Sequence, residues 1–262
     1  MTYKTIEIKN KNNILELILD RPEAGNSLNA ELAEEFYDAV CKISVDSNIK
    51  AVIITGKGKL FCGGGDLNFL LSKKNEVKET LLRMTNLLHG AIARLSKISA
   101  PVLVGVNGTA GGGGFSLAIT GDIIYAVKSA KFTLAYTNAG LSPDLSSTYY
   151  LPRLVGLKRA KELMLTNRVF SADEAYAMGI IDLVVDSQQE LDQKLQDQAE
   201  IFSRGPKNAY SSVKKLLNVS FSNGLETQMD LEGTDISENA QSTDGIEGMT
   251  AFKEKRSPVF KK

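Results

Sequence analysis

Pro101-Val102-Leu103-Val104-Gly105-Val106-Asn107-Gly108-Thr109-Ala110-Gly111-Gly112-Gly113-Gly114 runs from an unbroken apolar stretch into four consecutive glycines, and a helix-like stretch follows. A run apolar at nearly every position fits a strand covered on both faces. Inside a regular element each glycine costs about 0.5 to 1 kcal/mol, so four in a row mark a turn. The same order recurs upstream, where Ala51-Val52-Ile53-Ile54-Thr55 leads to Phe61-Cys62-Gly63-Gly64-Gly65-Asp66. Two such turns can bring two backbone N–H groups to one point, which is how a protein holds the oxyanion of a polarised carbonyl. Taken alone, the spacing fits tight packing of helix on strand equally well.

Phosphate binding is the other common use of glycines after a strand, and the spacing argues against it. A P-loop needs Lys followed by Ser or Thr after its glycines, whereas Gly114 is followed by Phe115 and Ser116. A dinucleotide fingerprint built on Gly111 and Gly113 needs a third glycine where Ser116 stands.

Further apolar runs at Ile14–Leu19 and 122–127 alternate with helical patterns. One of these is Leu28, Leu32, Phe36, Val40 and Ile43 with Asn29 as a cap; another is Leu81, Met84, Leu88, Ile92 and Leu95. This alternation predicts an α/β core. Ser171 and Glu174 have capping-box spacing, with Gly179 as a stop. Strand signals end at Val185, and amphipathic helices over 191–202 and 208–217 flank the breaker Gly205-Pro206. The chain from about Ser203 onward reads as a helical lobe that does not bury its apolar faces alone.

The 262 residues suit one large core with an appended lobe. Thirty-one basic and 31 acidic side chains cancel, which leaves no electrostatic footprint for nucleic acid or an anionic membrane. No apolar run is long enough to cross a bilayer. The charged N-terminal stretch is unlike a signal peptide, and the two cysteines, Cys41 and Cys62, lie far apart, so a cytoplasmic, reducing location is expected. One histidine and two cysteines make a zinc or iron site hard to build.

Phe61-Cys62-Gly63-Gly64-Gly65-Asp66-Leu67, the strand into Asn107-Gly108 and its glycines, Gly121-Asp122-Ile123, Ala130-Lys131-Phe132, Leu151-Pro152-Arg153-Leu154-Val155-Gly156 and Phe252-Lys253-Glu254-Lys255-Arg256-Ser257-Pro258 together resemble the enoyl-CoA hydratase/isomerase (crotonase) superfamily. The resemblance covers essentially the whole chain. It implies a spiral of ββα units over 1–202 and a C-terminal α-helical trimerisation region over 203–262, giving a homotrimer or dimer of trimers. It also implies an acyl-CoA thioester substrate, with coenzyme A as part of the substrate and no separate cofactor or metal. By position, the oxyanion donors fall on the N–H groups of Gly65 and Gly113. The family's CoA- and substrate-lining positions fall on Ala24, Gly63, Asp66, Leu67, Gly112, Ser116 and Tyr136. Phe252 and Lys255, within a basic tail that includes Lys261 and Lys262, would approach the CoA of a neighbouring subunit.

Hydratases of the superfamily use two glutamates, and their positions hold Ser116 and Tyr136 here, which argues against hydration. Asp144, after Leu141-Ser142-Pro143, matches the single acid of the isomerase branch, and the surrounding pattern most resembles the ring-epoxide phenylacetyl-CoA isomerases. Leu145-Ser146-Ser147 departs from the glycines usual after that aspartate. An aspartate acting as such a base needs its pKa raised by apolar burial, for which Leu141, Pro143 and Leu145 are suitable neighbours. Asp144 as a plain turn residue or helix cap is the structural alternative. His89, the single histidine, lies beside an apolar stripe. It matches a histidine of the 4-chlorobenzoyl-CoA dehalogenase branch, in which Asp144 would be the nucleophile; that branch's tryptophan is replaced by Tyr136. A non-catalytic acyl-CoA-binding homologue is a further alternative. Cys62 reads as a small buried filler.

Overall fold

The computed structural model describes residues 3–260. The chain opens with β1 (Ile6–Lys11) and β2 (Ile14–Leu19), an antiparallel hairpin. Its two turn residues, Asn12 and Asn13, sit at φ 54° and 66°, where asparagine is among the few side chains readily accepted. α1 (Ala30–Val45) starts at Asn29, whose side chain accepts from the Leu32 N–H. Leu28, predicted as part of that helical stripe, lies before the helix instead and forms an isolated parallel bridge with Gly65.

Three successive units then follow, each giving one strand to each of two sheets. They are β3 (Ala51–Gly56) and β4 (Leu60–Cys62) with α2 (Leu67–Ser72) and α3 (Val77–Leu95), then β5 (Val102–Val106) and β6 (Thr109–Gly111) with α4 (Gly113–Ala118), then β7 (Ile123–Val127) and β8 (Lys131–Thr133) with α5 (Ser147–Thr166). β9 (Phe170–Ser171), α6 (Ala172–Ala177) and β10 (Leu183–Val185) complete the sheets, whose orders are β1-β2-β3-β5-β7-β10 and β4-β6-β8-β9. This is the expected α/β spiral of ββα units. The capping box at Ser171 and Glu174 forms as read.

β3 and β5 are almost wholly buried because helices cover the large sheet: α7 (Gln188–Ser203) packs on β3, β5 and β7. The remaining helices, α8 (Lys207–Ser220), α9 (Leu225–Gln241) and α10 (Thr243–Glu254), pack in sequence, α8 on α9 and α9 on α10. They leave Leu217, Phe221, Leu225, Met229, Ile236 and Phe252 exposed, within the region read as a helical lobe that does not bury its apolar faces alone. Lys214 of α8 is 9% exposed and clasps the core, donating to the carbonyls of Leu95 (3.2 Å) and Ala100 (3.1 Å) and to Asp122 (2.7 Å). Burial lowers its pKa against the pull of Asp122. Lys261 and Lys262 lie outside the described residues.

Candidate active site

The two glycine turns meet because their strands are neighbours: β4 and β6 pair in parallel, Cys62 opposite Ala110. The approach is so close that a Cβ on Gly114 would lie 2.1 Å from the Cys62 carbonyl oxygen. At Gly112, φ 48° and ψ −120° turn the chain sharply into α4. Just beyond, Phe115 anchors that helix edge-on against Phe132 and Phe170, with ring centroids 6.2 and 5.8 Å away. On the other side, buried Asn26 donates to the carbonyls of Lys57, Leu60 and Phe61 and accepts from the Arg21 N–H, fastening the 21–27 loop beside the first turn.

Around Gly65 the bridge to Leu28 uses the flanking groups: Leu28 N–H donates to Gly64 O (2.7 Å) and Asp66 N–H to Leu28 O (2.9 Å). That leaves the Gly65 N–H without an acceptor among the described residues, and the Gly113 N–H, at the first position of α4, likewise has none. Both residues line one cavity of about 460 Å³. Its walls are mostly apolar, from Leu28, Leu70, Leu81, Met84, Leu88 and Leu145, and among the described residues its one carboxylate is Asp144.

Asp144 is placed by the 141–146 segment entering α5, and its carbonyl accepts from the Tyr136 hydroxyl (3.2 Å) and the Ser147 hydroxyl (3.0 Å). The carboxylate is not sealed among Leu141, Pro143 and Leu145 as expected; Leu141 is itself exposed. Asp144 Oδ1 instead lies 2.5 Å from His89 Nε2 of α3, the side chains being 25% and 49% exposed.

The structure brings Gly63, Gly65, Leu67, His89, Gly112, Gly113, Tyr136 and Asp144 together on this cavity. Ser116 is not on its wall: fully buried, it meets the Tyr136 hydroxyl at 2.8 Å, so it positions Tyr136 instead of meeting a ligand. Burial raises the pKa of that phenol well above its ordinary value, which keeps it a neutral hydrogen-bonding group. Asp66 and Ala24 are not on the wall either: Asp66 caps α2 and pairs with Arg21 at 3.0 Å, and Ala24 lies in a short 3-10 turn of the neighbouring loop. Phe252 and Lys255 lie apart, on and just after α10. Burial pushes the Cys62 thiol up to about 12, which makes it the inert filler it was read as. Sequence reasoning took Arg21 to Ser27 as a CoA-lining stretch by resemblance but missed the fastening roles of Asn26 and Arg21 and the contact of Leu28 with Gly65; Gly25-Asn26, both left-handed here, was the local signal of a special loop. Among the described residues no group of three His, Cys, Asp or Glu is placed to hold a metal ion, and no helix is long and apolar enough to cross a membrane.

A family model described as enoyl-CoA hydratase/isomerase matches residues 9–262. The chain is 35% identical over 252 residues to 1,2-epoxyphenylacetyl-CoA isomerase of Escherichia coli (strain K12), covering 94% of each. It is 30% identical over 223 residues to 4-chlorobenzoyl coenzyme A dehalogenase-2 of an Arthrobacter species, covering 85% of this chain and 80% of the relative. Among solved structures, an enoyl-CoA hydratase from Polaromonas sp. JS666 superposes with a TM-score of 0.92 at 31% identity, covering 98% of this chain and 99% of that one.

Proposed function

Since the chain belongs to the enoyl-CoA hydratase/isomerase family, we propose that it is an acyl-CoA isomerase, shifting a double bond or rearranging a ring, with Asp144 as the proton shuttle. The thioester carbonyl sits between the Gly65 and Gly113 N–H groups. For a 3-enoyl thioester, the Asp144 carboxylate removes an α proton and the electron pair moves onto the carbonyl oxygen, giving a dienolate. The oxygen accepts from both amides, each such donor being worth about 3 to 4 kcal/mol in a transition state of this kind. Asp144, now protonated, returns the proton at the γ carbon, the electrons fall back from oxygen, and the 2-enoyl thioester results. Coenzyme A enters as part of the substrate; no separate cofactor or metal takes part.

The observation that carries this reading is the pair of amides without acceptors on the wall of a cavity that, among the described residues, has Asp144 as its one carboxylate. The apolar walls suit an uncharged alkenyl or aryl acyl group. Ser116 and Tyr136, bonded to each other, supply no base for adding water. The test is turnover of a panel of 3-enoyl-CoA esters followed by product analysis. Asp144→Asn keeps the shape and removes the base, with an expected fall in kcat of about 10²- to 10⁴-fold. Variant turnover within a few fold of the parent refutes the assignment.

The His89–Asp144 contact favours one second reading, dehalogenase-like chemistry on a haloaroyl-CoA with Asp144 attacking the ring and His89 assisting water. Halide release from such an ester decides it. A binder without catalysis would show thermal stabilisation by CoA esters and no turnover on the same panel. The exposed apolar residues of α8–α10 support self-assembly, which the proposal takes to be a trimer or dimer of trimers, checked by mass in solution; a cytoplasmic location is part of the same proposal.

A further inference from the structure

His89, Pro143 and Asp144 belong to two cavities at once. The inner one is the apolar acyl cavity of about 460 Å³; the outer one, about 810 Å³, lies beyond the same three residues, under α8. The outer wall mixes apolar groups such as Ile92 and Val219 with the polar side chains of Ser96, Lys97, Ser211 and Asn218. Between them stands the 2.5 Å contact of His89 Nε2 with Asp144 Oδ1, with the imidazole about half exposed. Two hydroxyls near Asp144 are already committed: those of Tyr136 and Ser147 bond its backbone carbonyl, and Tyr136 also meets Ser116.

We infer that His89 is a relay residue, passing the proton captured by Asp144 to water in the outer cavity, so that isomerisation proceeds with solvent exchange instead of strictly internal return. The inference rests on the isomerase reading for its substrate class. A carboxylate that has taken a substrate proton is a carboxylic acid in contact with imidazole, ordinarily the stronger base. At rest the ionised carboxylate accepts from Nε2–H; once Asp144 is protonated the ring passes, by exchange with outer-cavity water, to the Nδ1–H tautomer. The acid can then give its proton to Nε2, leaving carboxylate and imidazolium, and the imidazolium releases its Nδ1 proton to that water. Reversal delivers a solvent proton to Asp144 and from there to the γ carbon. Every proton leaving the substrate is balanced by one returning, with no net change in oxidation state.

The experiment runs the full chain in D2O with a 3-enoyl-CoA at low conversion, reading deuterium per product molecule by mass spectrometry beside turnover. The parent product is expected to carry deuterium from the first turnover. His89→Gln can still hydrogen-bond Asp144 but cannot accept and pass on a proton, so deuterium per turnover should fall by about ten-fold or more. Ala93→Phe, one turn beyond His89 on the outer cavity wall, fills the port without touching the inner cavity and should lower the same ratio several-fold. A ratio unchanged in His89→Gln, or a parent product without deuterium, overturns the relay while leaving the isomerase reading in place. If no 3-enoyl ester is isomerised, that reading fails separately. The relay is then read from deuterium wash-in at the α carbon of a saturated acyl-CoA, which needs no double-bond shift; wash-in independent of His89, or none at all, overturns it.

Discussion

Replacing Gly114 by alanine introduces a single methyl at the tightest point between the two glycine turns. Its Cβ would lie 2.1 Å from the Cys62 carbonyl oxygen and 2.7 Å from the Cys62 carbonyl carbon, where real Cβ atoms essentially never come within 3.0 Å. The turns must therefore part by about 0.9 Å. Retreat of α4, which carries Gly113, is opposed by Phe115, fully buried against Phe132 and Phe170, so the displacement falls on the segment that carries Gly65. Misplacement of catalytic donors by about 1 Å costs on the order of 10²-fold in rate. Overpacking of this kind destabilises by about 1 to 3 kcal/mol. Isomerase turnover should fall about a hundred-fold while a cooperative melt persists at lower temperature. Parent-like turnover together with a parent-like melt would refute the claim that this contact sets the spacing of the two amides.

Lys214→Met should lower stability to urea by about 3 kcal/mol, because it removes the buried ammonium that ties α8 to Asp122 and to the carbonyls of Leu95 and Ala100. A loss under half that size would mean α8 is held by apolar contact alone. At the tail, Arg256 grips Glu247 through both carboxylate oxygens (2.6 and 2.9 Å) and the Val259 N–H adds a third bond, which together hold the Glu247 pKa at about 2 against an ordinary 4.5. Since the folded value is the lower one, the contribution of this clamp is complete above pH 4.5 and fades as pH falls toward about 2. Protection of the Val259 amide from hydrogen exchange should decline over that interval in the parent and be weak throughout in Glu247→Gln; a flat profile in the parent contradicts the clamp.

What the sequence disclosed was local. Asn29 and Ser171 cap their helices with side chains a few residues from the groups they satisfy, and the buried strands announce themselves as apolar runs. β1 was missed because Ile6-Glu7-Ile8-Lys9-Asn10-Lys11 is an edge strand with four polar residues in six. β4, β6 and β8 are only three residues long, below what periodicity can resolve. The candidate site depends on meetings across long separations. His89 and Asp144 are 55 positions apart, and the offset of His89 from the Leu88 and Ile92 stripe placed it at a helix edge without saying what the chain brings there. Ser116 looked free to meet a ligand until β8 returned Tyr136 to it. Resemblance to a known family supplied Gly65, Gly113 and Asp144; the fold supplies the reason, since only parallel pairing of β4 with β6 sets the two turns side by side.

The central claim is tested most directly by a crystal structure with a hydrolysis-resistant acyl-CoA analogue that retains the carbonyl. The carbonyl oxygen should lie about 2.7 to 3.1 Å from both the Gly65 and the Gly113 nitrogen, with the adjoining carbon beside the Asp144 carboxylate. A carbonyl bonded to neither amide, or an acyl chain directed away from Asp144, would contradict it.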